Sequence, residues 1–167
     1  MTHLTPNSFQ ELYVQPVLHH LAPIIPYSPE AIQLIVGIAA HESGDFQHVL
    51  QIGGGPALGY GQIEPLTHGD VWLNWLAYRR ELAKKVWQVS SEKPFTRVPR
   101  IVELTYNPSY MVAIMRCILR RAPEPLPAVG DYEGQARYWK RYYNTEEGKG
   151  LPLDYLNRAK RIFSDEN

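Results

Sequence analysis

Basic side chains are missing from the first 69 residues of this 167-residue chain, which contain no Lys and no Arg. Over its full length the chain carries 17 basic and 17 acidic side chains, so its formal net charge is zero. A neutral balance gives no support to a general nucleic-acid-binding tail or to a polybasic membrane anchor. We therefore expect neither a nucleic-acid partner nor an electrostatic attachment to a membrane.

Cysteine and long apolar runs are equally scarce. The single cysteine, Cys117, rules out an internal disulfide framework, and its place in an apolar helical pattern predicts a small core residue. No segment reaches the roughly 18 consecutive apolar residues that a membrane span requires. The first ten residues lack a basic segment followed by an apolar run, so we expect no signal peptide and synthesis in a cytoplasm.

The chain is instead rich in apolar and aromatic residues, with four Trp, eleven Tyr and 44% hydrophobic residues. This composition argues against intrinsic disorder. The length fits one domain over residues 1–167, which can bury roughly 70% of the surface exposed by its unfolded form.

Helical patterns separated by Pro and Gly predict a mainly α fold. The predicted helices cover residues 9–21 (interrupted at Pro16), 28–44, 67–89, 107–119, 131–143 and 153–163. Thr67 with Asp70 resembles a capping box that would start the third of these helices. A small β-hairpin is expected near residues 48–62.

The clearest of these elements is the helix that begins at Ser28 and Pro29, a good N-cap followed by a first-turn proline. Residues 31–40 are apolar at almost every position, so this helix is predicted to be buried. It runs into Glu42, and a carboxyl group at the end of a buried helix is expected to reach a cleft with a raised pKa. A carboxyl that stays protonated near neutral pH can serve as a general acid.

Residues 42–44 read Glu-Ser-Gly, and residues 59–67 read Gly-Tyr-Gly-Gln-Ile-Glu-Pro-Leu-Thr; a late Tyr-Asn pair occupies residues 143–144. These three motifs resemble the signatures of the lytic transglycosylases of the lysozyme-like superfamily. The family pattern is Glu-Ser, then Gly-Leu-Met-Gln-Ile/Leu-Met-Pro-x-Thr, so Tyr60, Gly61 and Glu64 depart from it. The late Tyr-Asn pair of the family matches residues 143–144, with different flanking residues. The resemblance spans residues 28–145.

This resemblance implies a lysozyme-like domain that cleaves the β-1,4 MurNAc-GlcNAc bond of peptidoglycan glycan strands, without a cofactor. Glu42 would act as acid and then as base, while the substrate's own C6 hydroxyl closes a 1,6-anhydro ring. Further residues expected to bind sugar groups or to support the site are Ser43, Gln62 and Asn144.

More specific roles are expected for four residues around Glu42. Gly59 and Gly61 would let the backbone approach the sugar closely, although a simple hairpin turn explains them equally well. Tyr60 would stack on a sugar ring. Tyr143 would hydrogen-bond near the Glu42 carboxyl and orient it, with packing in a core of aromatic residues as the alternative.

Two other functions stay open at this point. A second carboxylate, Glu64 or Asp45, would make the protein a hydrolytic lysozyme of the same fold. A non-catalytic virion structural or wall-binding protein is the other alternative, but such a protein has no need of a buried acid. The expected setting is phage-driven degradation of the cell wall, either as a virion component with other virion proteins as partners or as an endolysin.

Two further patterns in the sequence are relevant to binding. His41 and His48 flank Glu42 with the residue types of a zinc site, but they are seven residues apart and no third ligand is evident, so we expect no metal. The bases of residues 79–100 are expected to form a solvated helix face, with contact to the anionic cell wall or to an acidic neighbour as the alternative.

Overall fold

Prolines and polar caps determine where many of the helices begin. The computed structural model describes residues 3–92, 97–144 and 148–164. Within these ranges the α-helices are α1 (Pro6–Phe9), α2 (Gln15–Leu21), α3 (Pro29–Glu42), α4 (Pro65–Asp70), α5 (Arg80–Gln88), α6 (Glu103–Tyr106), α7 (Pro108–Arg121), α8 (Tyr132–Trp139) and α9 (Pro152–Ser164). Wider π-helical turns occupy Gln10–Val14, Val71–Trp75 and Lys140–Asn144, and a 3-10 turn occupies Leu76–Tyr78. The predicted mainly α fold is confirmed.

Three predicted helix starts are confirmed in detail. The side chains of Ser28, Asn107 and Asp131 each accept a hydrogen bond from the backbone N–H three residues later, at 3.1, 3.1 and 2.8 Å. Each bond satisfies one of the backbone donors that an α-helix leaves unpaired at its N-terminus. These caps fix where α3, α7 and α8 begin.

The first predicted helix starts earlier than expected and is interrupted where expected. A capping box formed by Thr5 and Ser8 starts it at Pro6. The π-helical turn Gln10–Val14 comes directly before α2, whose second residue is Pro16. Proline lacks a backbone N–H, and its ring clashes with the carbonyl four residues earlier. The wider turn lies where this clash would otherwise occur.

The single long helix predicted over residues 67–89 is wrong. The helix starts at Pro65 rather than at a Thr67 cap, because Glu64 is extended (φ −77°, ψ 151°) and proline suits the first helical position. It is also interrupted before α5, where Arg79 has non-helical backbone angles (φ −137°, ψ 63°). The amphipathic pattern continues across Arg79, so it gave no indication that the helix is interrupted there.

The expected hairpin near residues 48–62 is reduced to two isolated antiparallel bridges, Leu50 with Leu58 and Leu58 with Ile63. Leu58 and Ile63 exchange both backbone hydrogen bonds at 3.0 Å. The segment is therefore a bridged loop, and it brings residues 59–62 back toward the end of α3.

Helix α3 lies at the centre of the fold, as predicted. Its apolar residues are buried, and it packs against α7, α9 and the N-terminal helices. Cys117 is fully buried in the same hydrophobic cluster, which confirms its predicted role in the core. In the described part of the chain, no helix has the length and apolar character needed to cross a membrane.

The basic segment is exposed as expected, but only part of it lies on a helix. Arg79, Arg80 and Lys84 are exposed at or beside α5. Arg100 is also exposed, but it lies in the loop that follows α5 and forms an ion pair with Glu92 at 2.6 Å. Lys93, which belongs to the same predicted face, lies outside the described residues.

Candidate functional site

A cleft of about 1000 Å³ opens at the C-terminal end of α3. The bridged loop forms one wall, and the continuation of α8 forms another. Residues with relevant chemistry that line the cleft are Glu42, Gln62, Glu64, Trp139, Tyr143 and Asn144. Three separate parts of the sequence thus meet around one carboxyl group.

Glu42 is the last residue of α3, and its carboxyl group is largely withdrawn from solvent. Burial disfavours the charged form and raises the pKa of Glu42 to about 7. A hydrogen bond from Trp139 opposes that rise, because the N–H stabilises the carboxylate. The predicted raised pKa is confirmed, and its main cause is burial at the end of an apolar helix.

Trp139 is the closest partner of this carboxyl group. Its indole Nε1 donates to Glu42 Oε1 at 2.7 Å. The ring is 1% exposed, stacks on Tyr155 with centroids 5.5 Å apart, and meets His41 edge-on at 4.5 Å. The sequence analysis did not identify Trp139 as part of the site. A buried indole needs a hydrogen-bond acceptor, which was the available signal.

Ser43 supports the site from behind. It is fully buried, and its hydroxyl donates to the Ala39 carbonyl at 2.6 Å and accepts from the Phe46 N–H at 2.8 Å. These bonds close the end of α3 and hold the first residues after it. Ser43 does not line the cleft, so its role is to fix the backbone next to Glu42.

Gly59 and Gly61 are required by contacts within the protein, and neither lines the cleft. Gly59 has a φ of +74°, and a Cβ added there would lie 2.2 Å from the Leu104 carbonyl oxygen. A Cβ added at Gly61 would lie 2.8 Å from the Tyr143 hydroxyl and 2.9 Å from Met115 Sδ. The expectation that these glycines admit a sugar is therefore replaced by tight packing of the loop on α7 and Tyr143.

Tyr60 points away from the cleft, which corrects its expected role in stacking on a sugar. Its ring meets Phe46 edge-on at 5.5 Å and Phe9 at 6.2 Å. It is partly buried and packs against the hydrophobic core. The path of the loop determines which way the Tyr60 side chain points, and the sequence motif does not specify that path.

Gln62 does line the cleft, in a left-handed backbone conformation (φ +45°). Its side-chain Nε2 donates to the Gly59 carbonyl at 3.0 Å. One end of the amide therefore closes the loop, as expected for a residue that holds the loop in place.

Tyr143 and Asn144 lie in the π-helical turn that continues α8. The Tyr143 hydroxyl donates to the Gly61 carbonyl at 2.7 Å, so it connects this turn to the bridged loop. Its pKa is well above the usual value because the group is buried and the Glu42 charge is near. Asn144 Oδ1 accepts a hydrogen bond from Lys140 Nζ at 2.9 Å. Tyr143 is thus close to Glu42, but its hydrogen bond goes to the loop.

The two candidate second carboxylates occupy different places. Glu64 is exposed and lines the cleft together with Glu42. Asp45 does not line it, because its Oδ2 is held at 2.7 Å by both Arg158 and Arg161 of α9. The proposal of Asp45 as a catalytic carboxylate is corrected by this geometry.

Sequence reasoning also missed Asp70, which lines the cleft and forms an ion pair with Arg121 of α7. Across residues 3–92, 97–144 and 148–164, no group of three or more His, Cys, Asp or Glu side chains is arranged to hold a metal ion.

No protein-family model, no curated protein and no solved structure matches the chain. The functional interpretation therefore depends on the chemistry of the cleft and on the three motifs.

Proposed function

We propose that this protein is a lytic transglycosylase that cleaves the β-1,4 MurNAc-GlcNAc bond of peptidoglycan. The observation that carries the proposal is Glu42, a carboxyl group with a pKa of about 7 that lines a cleft of about 1000 Å³. A group so poised can both donate and accept a proton, as a one-carboxylate mechanism requires.

The proposed reaction uses Glu42 twice. First the protonated carboxyl gives its proton to the glycosidic oxygen as the bond to C1 of MurNAc breaks. The resulting carboxylate then takes the proton from the C6 hydroxyl of the same sugar, and that oxygen bonds to C1. The products are a 1,6-anhydro end and a free GlcNAc 4-hydroxyl, no water is consumed, and Glu42 is protonated again.

The surrounding contacts support this use of one carboxyl group. The Trp139 N–H fixes one oxygen of the Glu42 carboxyl and stabilises its charged form between the two steps. The bond from Tyr143 to Gly61 holds together the two cleft walls beside Glu42. The acid is therefore held in a defined position before substrate arrives.

A hydrolytic lysozyme is the second candidate, because Glu64 lines the same cleft and is exposed to solvent. In that mechanism Glu64 would activate water or stabilise the sugar cation. The two candidates differ in their products, since an anhydro end is one water lighter than a hydrolysed end.

Mass analysis of the muropeptides released from purified cell walls tests the proposal. We expect anhydro products from the wild type and from Glu64→Gln, and none from Glu42→Gln. Hydrolysed ends that disappear in Glu64→Gln would establish the hydrolase. If the folded wild type releases no more muropeptide than a blank without protein, both enzymes are refuted and a non-catalytic wall-binding or virion protein is favoured.

A further inference from the structure

The segment of residues 148–150, Gly-Lys-Gly, is a wall of the cleft that is tied directly to the proposed catalytic group. All three residues line the cleft. Lys140 Nζ donates to the Gly148 carbonyl at 2.6 Å. A Cβ added at Gly150 would lie 2.5 Å from Cη2 of Trp139, the residue whose N–H binds Glu42. The backbone on both sides of Lys149 is therefore fixed against the site.

The charges in the cleft identify Lys149 as the cation available to a ligand. Among the described residues, the Lys and Arg side chains that line the cleft are Arg121 and Lys149. Arg121 is already paired with Asp70. Lys149 is exposed and forms no ion pair with the described residues. Lys140 points behind the wall, to Asn144 and Gly148.

We infer that Lys149 is a specificity residue that binds a carboxylate carried by the glycan chain. An ammonium group in the wall of the cleft favours substrates that carry negative charge over neutral ones. Neutral amino-sugar chains lack that group. The inference rests on the proposed function, which supplies the glycan as occupant of the cleft.

The carboxylate has two possible sources in the proposed substrate. Strands that still carry peptides present carboxylates on the peptide. Strands stripped of peptide by an amidase present the carboxylate of the lactyl ether. Peptide-free strands whose lactyl carboxylates have been converted to amides are neutral and otherwise similar to the second kind.

Cleavage kinetics on these three substrates test the inference. The variants are Lys149→Gln, which keeps length and polarity but removes the charge, and Lys149→Arg, which keeps the charge. The matched control is Lys84→Gln on α5, an exposed lysine that does not line the cleft. Products are measured by mass, and KM and kcat are determined separately.

On charged strands we expect Lys149→Gln to raise KM about 1.5-fold to fivefold with little change in kcat, as for loss of one exposed charge contact. Lys149→Arg and Lys84→Gln are expected to keep the wild-type KM. On amidated strands the wild type and Lys149→Gln are expected to be equal. The charged substrate that shows the larger KM effect identifies the source of the carboxylate.

Two negative results have different meanings. If the wild type cleaves charged strands and Lys149→Gln has an unchanged KM on both, the carboxylate-binding role of Lys149 is wrong and the proposed function stands. If the wild type cleaves no strand at all, the proposed function fails, and the inference fails with it.

Discussion

Replacing Trp139 with Phe tests whether the indole N–H tunes the proposed acid. The substitution keeps an aromatic ring between Tyr155 and His41 but removes the donor that lies 2.7 Å from Glu42 Oε1. Burial alone then determines the pKa of Glu42. Because the lost bond stabilised the carboxylate, the pKa must rise above its wild-type value of about 7.

The size of the rise follows from the strength of the lost bond. A hydrogen bond to a charged group contributes about 1.5–3 kcal/mol, and about 1.4 kcal/mol changes a pKa by one unit. The protonated carboxyl also accepts from the indole, so only part of that energy distinguishes the two forms. We expect the pKa of Glu42 to rise by about one unit.

The assay is the pH profile of kcat/KM for glycan cleavage, whose alkaline limb reports the acid of the free enzyme. In Trp139→Phe that limb should move to higher pH by about one unit. Trp72→Phe is the matched control, because Trp72 is also buried and donates at 2.8 Å to the Tyr110 hydroxyl, away from Glu42. Carbon-13 NMR of the Glu42 carboxyl measures the same shift without turnover. An unchanged or lowered pKa in a folded Trp139→Phe variant would refute the proposed role of this bond.

Three further predictions concern stability. The pKa of Glu42 is about 7 in the folded state and about 4.5 when the group is exposed, so its contribution to stability is full below pH 4.5 and is lost as the pH rises through 7. Glu42→Gln lacks this pH dependence. Its free energy of unfolding, measured with denaturant, should therefore exceed that of the wild type by up to about 3 kcal/mol at pH 8 and equal it at pH 4. Gly61→Ala should lower the free energy of unfolding by about 1–3 kcal/mol, because its Cβ would meet a tyrosine hydroxyl at 2.8 Å. Gly69→Ala in α4 is the control, because its Cβ would meet nothing within 4 Å, and it should be neutral or stabilising. Equal losses of stability in the two variants would contradict the packing argument. Asp45 has its pKa lowered by hydrogen bonds and charge from two arginines, so Asp45→Asn should lose a few tenths to about 1 kcal/mol at pH 7, with the difference disappearing as the wild-type carboxyl protonates below its ordinary range. The rate of glycan cleavage by Asp45→Asn should be unchanged. A loss of rate with intact stability would indicate that Asp45 takes part in catalysis.

Local signals in the sequence were enough to predict most of the helices and the position of Glu42. Ser28-Pro29 and Asn107-Pro108 act within a few residues, and the apolar run of α3 required burial whatever surrounded it. The pKa of Glu42 followed from the same run, because burial at a helix end does not depend on which partner covers it.

The wrong or missing predictions concern the directions of side chains and the contacts between residues far apart in the sequence. Tyr60 follows the path of a loop whose orientation is set by packing on α7, so the motif did not reveal that it faces Phe46. The two arginines that pair with Asp45 come from α9, more than a hundred residues later. Trp139 reaches Glu42 across 97 positions. Contacts of this kind depend on tertiary structure, and a single sequence does not encode them in any local pattern.

The π-helical turn that follows α8 has a genetic consequence. Its hydrogen bonds reach one residue further than those of an α-helix, so both Tyr143 and Asn144 share the face of Trp139. Loss of one codon in residues 140–142 would place Tyr143 and Asn144 three and four residues after Trp139, and an ordinary α-helix also presents those positions on the face of Trp139. Such an in-frame deletion would therefore keep both side chains on the cleft side. The π-helical turn thus accommodates one extra residue without changing which side chains this helix presents to the cleft.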